Sequence, residues 1–226
     1  MAETAVPAGV AAAAEVTLPA EVAVPADAGR RRYDTASLLE VAVAVFTERG
    51  YDGTSMEHLS RASGLSKSSL YHHIDGKEHL LRLALERAVE PLFAVTREPG
   101  AREGRAIDRL EHVVRREVEV LADRLPYVTL LLRVRGNTEV ERWALERRRE
   151  FDRFVAALVA EAARDGDLRA DLDPAVVTRL MFGMINSLVE WYRPDGDSGG
   201  AARRVVLAPS DLAEAVVTLA FGGLRR

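Results

Sequence analysis

The segment from residue 54 to residue 74 constrains the fold most, because it predicts two short helices on either side of a tight turn. The run Thr54-Ser55-Met56-Glu57 matches a capping box, in which a hydroxyl and a carboxylate satisfy each other's free backbone donors. Ser63-Gly64 ends this first helix, and Ser66 caps a second one that runs from Lys67 to Ile74. Two short helices joined by a glycine-containing turn are typical of a helix-turn-helix.

The same helical punctuation continues on both sides of this segment. Asp34 or Thr35 caps a predicted helix that Gly50 ends, and Asp75-Gly76-Lys77-Glu78 repeats the cap-and-carboxylate pattern for a longer helix reaching about Val95. Apolar residues at helical spacing predict further helices over 107–126, 127–134, 139–165, 174–192 and 210–221. The predicted fold class is therefore all-α, with a three-helix helix-turn-helix domain at 33–80 and a larger helical domain at 81–226.

Composition removes several classes of protein. The 226 residues include no cysteine, which excludes disulfide scaffolds, cysteine-ligated metal sites and thiol nucleophiles. No apolar run approaches the roughly 18 residues that a membrane span needs, so a soluble protein with no membrane partner is expected. Residues 1–29 carry four acidic and no basic residues, which leaves 31 basic and 31 acidic residues in the remainder. A uniformly basic nucleic-acid binder is excluded, whereas a locally basic one is not.

The first 32 residues are predicted to be a disordered tail. They are rich in alanine and valine, Pro7, Pro19 and Pro25 interrupt any helix, and the positive start of a signal peptide is missing. The triplet Arg30-Arg31-Arg32 marks the border of the folded part. Two interpretations of this triplet stay open, an arm along a DNA backbone and a solvated charge run.

The second short helix has an outward face that suits a polyanion. At 100° per residue, Leu70 and Ile74 face the core while Ser68 and His72 point away, and the helix contains no acidic residue. The chain has only two lysines, Lys67 and Lys77, and both begin helices that flank this face. Free backbone N–H groups and the helix dipole favour phosphate at such positions.

The stretch from Thr54 to His73, with Phe46, Arg49-Gly50-Tyr51 and Gly76-Lys77-Glu78 around it, resembles the DNA-binding domain of TetR/AcrR-type transcriptional regulators. Two departures are visible, since Ile74 stands where the family often has Phe and Asp75-Gly76 replaces a frequent Pro-Ser pair. The resemblance implies that the third helix enters the major groove of a palindromic operator in double-stranded DNA. It also implies a cytoplasmic regulator that dimerises through its last two helices.

The resemblance assigns DNA contacts to nine residues. Base-proximal side chains are expected at Ser68, Ser69 and Tyr71. Contacts to the DNA backbone, or positions at the preceding helix start, are expected at Thr54, Ser55, Lys67, His72, His73 and Lys77. Phosphate contacts position a protein and base contacts specify the sequence, so the two groups would differ in their effect on specificity.

No constellation for catalysis is present, and no enzyme activity, metal site or cofactor is expected. Four of the five histidines lie in the helix-turn-helix part, and the adjacent pair His72-His73 diverges by about 100°, a poor geometry for one metal. No phosphate-binding loop, dinucleotide fingerprint or nucleophile elbow occurs.

The predicted helix from Pro174 to Tyr192 is apolar on almost every side and must be buried on several of them. A subunit interface would supply the extra cover, and the resemblance implies a homodimer through 174–192 and 210–221. The alternative is the central core helix of a monomer.

The family analogy also implies a pocket for a small-molecule effector in the C-terminal domain. The polar and aromatic residues near the apolar helices provide the candidates, which are Phe93, His112, Tyr127, Arg133, Trp143, Met184 and Asn186. Aliphatic helices with scattered arginines favour a lipid-like or acyl-thioester effector. Two functions remain in competition, a repressor released by its effector and a DNA-binding regulator that has no ligand or acts as an activator.

Overall fold

In the computed structural model, residues 34–193 and 207–225 are described. The predicted tail, the arginine triplet and the predicted loop at 195–200 lie outside the described residues. Within those described, the chain is helical, and one isolated antiparallel bridge joins Leu168 to Arg225. The helices are α1 Thr35–Arg49, α2 Met56–Ser63, α3 Lys67–His73, α4 Lys77–Val95, α5 Pro99–Arg102, α6 Ala106–Asp123, α7 Leu125–Arg133, α8 Glu139–Arg164, α9 Pro174–Asn186, α10 Leu188–Trp191 and α11 Pro209–Gly222.

The beginnings and ends of α1 and α3 follow from their capping residues. The Asp34 side chain accepts a hydrogen bond from the backbone N–H of Ser37, and Gly50, with φ of 76°, ends α1. The Ser66 hydroxyl accepts from the Ser69 N–H at 3.1 Å and starts α3. Gly64 adopts the left-handed conformation, with φ of 70°, and makes the turn between α2 and α3. Helix α1 matches its predicted bounds, and α3 begins as predicted but ends at His73, one residue before the predicted Ile74, whose backbone is extended.

The predicted caps of α2 and α4 are wrong in detail. Ser55, rather than Thr54, caps α2, and its box partner is His58, whose Nδ1 accepts from the Ser55 N–H at 3.2 Å. Thr54 instead donates its hydroxyl to the Gly50 carbonyl at 2.7 Å. Gly76 begins α4 with no side-chain cap. In both places the backbone turns into the helix one residue later than the sequence pattern indicated.

The C-terminal half has two further differences from the prediction. The short helix α5 was not predicted, since its four residues begin with proline and carry no periodicity. The predicted helix over 174–192 is divided at Ser187, whose hydroxyl donates to the Met184 carbonyl at 2.7 Å. Such a bond back to the preceding turn competes with the helical ladder and bends the chain.

Helix α4 lies at the centre of the molecule and packs against α1, α6, α7 and α8. A continuous set of buried apolar residues extends along it, from Leu38 and Phe46 in α1 to Phe221 in α11. Helix α6 packs against α8 and α11, and α8 packs against α9. Helix α7 also contacts α1 directly, so the helix-turn-helix touches the C-terminal half at two places, α4 and α7.

Candidate DNA interface and effector cavity

The outward face of α3 is exposed and free of acidic side chains. Lys67, Ser68, Tyr71, His72 and His73 are exposed, while Leu70 is fully buried beneath them. Tyr71 is 55% exposed, which is unusual for a large aromatic side chain that has no binding role. Ser69 is half-buried, since its backbone N–H bonds the Ser66 cap. This face offers short hydroxyls, one phenol and two imidazoles to a polyanion.

Five of the nine predicted DNA contacts have side-chain partners within the chain. Lys67 pairs with Glu57 and the Ser68 hydroxyl with that of Ser66, and both residues remain exposed. The other three are Thr54, Ser55 and Lys77. Thr54 is 2% exposed and its hydroxyl is bonded to Gly50. Ser55 uses its hydroxyl to cap α2, although the residue remains exposed. Lys77 donates from Nζ to the carbonyls of Tyr51 at 3.0 Å and Thr54 at 2.9 Å. These three residues therefore fix the helix-turn-helix geometry around α3.

The second candidate site is an internal cavity of about 50 Å³ between α4, α6, α7, α8 and α9. Most of its wall is apolar, and Leu92 and Phe93 form the part contributed by the far end of α4. The Arg147 guanidinium stacks over the Phe93 ring at 3.5 Å from the ring centroid. The cavity volume is well below the roughly 150 Å³ of a cavity that admits benzene. A larger ligand therefore requires the Phe93 and Arg147 side chains to move.

One carboxyl group faces this cavity from α6. Glu117 is only 6% exposed, and its Oε2 has no hydrogen-bond partner among the described residues. Burial raises the pKa of the Glu117 carboxyl well above its usual range, the negative charge of Asp152 adds to this, and Arg148 opposes it. Burial therefore favours the protonated, neutral form of the Glu117 carboxyl on the cavity wall.

An open cleft of about 450 Å³ lies on the outer side of the same wall, between α8 and α9. The cavity and the cleft share Arg148, Asp152, Phe182 and Asn186 as lining residues. Cationic side chains outnumber acidic ones there, because Arg153 and Arg179 also line the cleft. An apolar interior thus adjoins an outer cleft that suits an anion.

Comparison with known proteins identifies the family. Residues 38–84 match the model described as bacterial regulatory proteins, tetR family, and residues 103–224 match the tetracyclin repressor-like C-terminal domain. The chain belongs to the TetR family of bacterial regulatory proteins. It is a transcriptional regulator that binds DNA through its helix-turn-helix, and its fold is the all-α fold of that family.

Several relatives of this TetR-family chain are close over most of their length. The crystal structure of SCO3833, a TetR-family member from Streptomyces coelicolor A3, is 63% identical, with a TM-score of 0.75 over 84% of this chain and 91% of that chain. The transcriptional repressor KstR2 of Rhodococcus jostii is 29% identical over 184 residues, 80% of this chain and 88% of the relative. AibR, solved with isovaleryl coenzyme A and operator DNA, has the same fold, with 24% identity, a TM-score of 0.65 and coverage of 84% and 98%.

The structure brings two of the seven predicted effector-pocket residues to the cavity, Phe93 and Asn186. His112 bonds Glu98 at 2.6 Å between its Nε2 and the carboxylate, and this pair joins α6 to the start of α5. Trp143 packs half-buried against the core. The remaining three lie on other surfaces, Tyr127 and Arg133 in a cleft between α1 and α7, and Met184 in an apolar groove on α9.

Sequence analysis did not predict Glu117, Arg148 or Asp152 as site residues. A signal for Glu117 exists, because it lies three residues after Val114 and four before Leu121, within the buried stripe of α6. A carboxylate in an apolar stripe is rare enough to indicate a functional position. Nothing comparable marks Arg148 and Asp152, since α8 is rich in charged residues along its length.

Within the described ranges no group of histidine, aspartate and glutamate side chains could hold a metal ion. In the same ranges, no helix combines the length and the apolar character that crossing a bilayer requires.

Proposed function

We propose that this TetR-family regulator is a repressor that binds a palindromic operator as a homodimer and leaves it when an acyl-thioester effector binds its C-terminal domain. The observation that carries this proposal is the position of the cavity. Its wall includes Leu92 and Phe93 of α4 and Val128 and Leu131 of α7, and both helices pack against α1 of the helix-turn-helix. A ligand that enlarges the cavity displaces the two helices on which the DNA-binding part rests.

On the operator, we assign base contacts to Ser68, Ser69 and Tyr71 and phosphate contacts to Lys67, His72 and His73. The exposure of the α3 face supports this division, although Ser69 is only partly accessible. Serine hydroxyls donate to or accept from several bases, so sequence specificity rests more on Tyr71 and on DNA shape.

The proposed dimer forms through α9, α10 and α11. These helices leave large apolar side chains exposed, with Leu180 69% and Leu219 73% exposed. Val176 and Trp191 are also more than half exposed, and an almost wholly apolar groove runs between α9 and the end of α11. A second copy of the chain covers such a face and brings two α3 helices to the two halves of a palindrome.

Similar proteins support the effector class. AibR is named as a complex with isovaleryl coenzyme A and operator DNA, and KstR2 is named as a repressor. The apolar cavity beside a cationic cleft accommodates the apolar chain and the anionic end of such a molecule. Because chromosomal operator DNA lies in the bacterial cytoplasm, we place the regulator there.

The test uses DNA selected from a random pool by the purified protein, followed by binding titrations with acetyl-, isovaleryl-, octanoyl- and palmitoyl-coenzyme A. At least one thioester is expected to weaken operator binding, and the operator must weaken binding of that thioester by the same factor. Equal operator affinity with and without all four thioesters would favour a regulator without this ligand class. Tighter operator binding in their presence would indicate co-repression or activation.

A further inference from the structure

The Glu117 carboxyl is the group whose position on the cavity wall no contact within the described chain explains. It projects from α6 among Val89, Leu121 and Val128, all apolar. A buried polar atom without a partner destabilises the folded state, and native proteins contain few of them. Leu110 and Leu121 occupy other buried positions on the same stripe of α6, so the helix itself does not require a polar residue at position 117.

The charged groups on the cavity wall all come from one other helix. Arg147, Arg148 and Asp152 lie on α8, while α4, α7 and α9 contribute apolar side chains and the amide of Asn186. None of these groups forms a hydrogen bond to Glu117 Oε2 in the described part of the chain, and Arg147 is stacked on Phe93. In its protonated form, which burial favours, the carboxyl has an O–H that can donate a hydrogen bond into the cavity, whose wall is apolar apart from the three charged groups of α8 and Asn186.

The outer cleft restricts what the donor can meet. Arg148, Arg153 and Arg179 line the cleft, where Asp152 is the acidic residue and Arg153 is also paired with Glu146 outside it, so the anionic end of an amphiphile would be stabilised mainly by Arg148 and Arg179, outside the cavity. The cavity and the cleft share Phe182 and Asn186, so the uncharged part of such a ligand would have to pass these side chains to reach the cavity. A neutral acceptor at the start of an apolar chain would then lie next to Glu117.

We propose that Glu117 is a specificity-determining residue that donates a hydrogen bond to the carbonyl oxygen of an acyl thioester, while the cleft arginines hold its anionic end. This inference rests on the proposed function and adds the group that recognises the thioester itself. A saturated chain without the carbonyl leaves the donor unpaired and is discriminated against.

The experiment compares a thioester with its thioether analogue, in which a methylene replaces the carbonyl. Calorimetry uses the full-length protein and whichever of the four coenzyme A thioesters binds it most tightly. Wild type is expected to bind the thioester about 5–30-fold more tightly than the thioether, the range of one buried hydrogen bond. Glu117→Leu should reduce this ratio to within about twofold, whereas Glu117→Gln, which keeps an N–H donor, should retain most of it.

Glu119→Gln is the matched control, because this glutamate lies on the same helix and bonds Arg116 rather than facing the cavity. An equal affinity of wild type for both analogues would overturn the role of Glu117 while leaving effector-controlled repression intact. Loss of affinity in Glu117→Gln as large as in Glu117→Leu would show that an anion is needed. Failure of every thioester to bind would overturn this inference together with the proposed effector class.

Discussion

At the scale of single residues, the two lysines begin neighbouring helices in different surroundings. Lys67 Nζ lies 3.4 Å from Glu57 Oε2, and both side chains are more than half exposed. Lys77 is bonded to two carbonyls and lies over the Tyr51 ring at 4.3 Å. An exposed ion pair contributes little to stability, whereas a charged donor between two carbonyls is held in place. Lys67 is thus available to phosphate, and Lys77 stabilises the turn before α2.

The two lysines should respond differently to replacement by alanine. Lys67→Ala is expected to weaken binding to all DNA sequences equally and to make the salt slope shallower by about one unit. Lys77→Ala should lower the free energy of unfolding by about 1–3 kcal/mol, because two bonds to a charged donor are lost. Fluorescence anisotropy against salt and urea denaturation measure the two effects. Lys67→Arg is the control that keeps the charge. An unchanged salt slope in Lys67→Ala would contradict the assignment of α3 to the DNA interface.

The raised pKa of Glu117 has a consequence for stability. The folded protein holds this proton above pH 4.5, the usual pKa, where the unfolded chain has lost it. Stability from this group therefore falls as pH rises from about 4.5 to the folded pKa, by up to about 1.4 kcal/mol per pH unit. Glu117→Gln should remove that slope in urea titrations at pH 5 and pH 8. A difference between wild type and variant that does not grow with pH would contradict the buried neutral acid.

At the scale of helices, the sequence is sufficient to locate a helix boundary where a capping residue directly precedes or follows a run of apolar residues at helical spacing. Asp34 and Gly50 define α1, and Thr138, with Glu141, defines the start of α8. The cap of α2 was displaced by one residue because Thr54 and Ser55 both carry hydroxyls, and only the backbone conformation decides which one accepts. The division at Ser187 depends on a side-chain bond that periodicity does not reveal.

The two candidate sites could be predicted to different degrees, because one lies on a single helix and the other depends on how several helices pack. The face of α3 follows from spacing along one helix, so Ser68, Tyr71 and His72 could be placed from the sequence. The cavity is formed by five helices, and its wall depends on how they pack. His112 was predicted to line the pocket, but its side chain instead bonds Glu98, a partner that spacing along α6 does not reveal.

Helix α7 provides a second mechanical connection between the cavity and the helix-turn-helix. Val128 and Leu131 line the cavity, while Arg133 near its end donates to the Thr47 carbonyl of α1 at 2.5 Å. Just beyond it, the Asn137 side chain donates to Asp52 at 2.7 Å. Sequence analysis considered α4 alone as the link, because the contact between α1 and α7 joins residues far apart in the chain.

Removal of the α7 contact should weaken the coupling between effector and operator more than it weakens either binding event. Couplings between effector and operator typically amount to about 5–150-fold in affinity. Arg133→Ala is expected to reduce the ratio of operator affinities measured without and with thioester, because it removes the bond from α7 to α1. Anisotropy titrations with and without the thioester give this ratio. Arg135→Ala, another exposed arginine two residues further on, is the matched control. The same ratio in Arg133→Ala as in wild type would leave α4 as the sole route.

At the scale of the whole molecule, the exposed apolar face of α9 and α11 is the surface through which we propose that the dimer forms. Leu180→Arg changes a side chain that is 69% exposed in one chain, so the monomer should fold while a charge disrupts the interface. Light scattering is expected to show monomers, and affinity for a palindromic operator should fall at least about 100-fold as the second half-site contact is lost.

Ala94→Arg, on the exposed side of α4, is the control that adds the same charge to a different surface. Leu188 is unsuitable as a test position, because it is 2% exposed and belongs to the chain's own core. Circular dichroism confirms that the variants remain helical. A wild-type protein that is monomeric at micromolar concentration would contradict the proposed dimer.

The unequal surroundings of the two lysines also make this protein suited to chemical footprinting. Because Lys67 and Lys77 are the only lysines in the chain, theirs are the only side-chain amines that an amine-reactive ester can acylate. Lys77 holds its ammonium between two carbonyls, so its acylation is slow beside that of the exposed Lys67. A single mass increment on the peptide that contains Lys67 therefore reports on α3, the helix proposed to contact DNA. Mass spectrometry can follow whether operator DNA protects Lys67 from acylation, and whether adding a ligand restores the acylation, without any substitution in the protein.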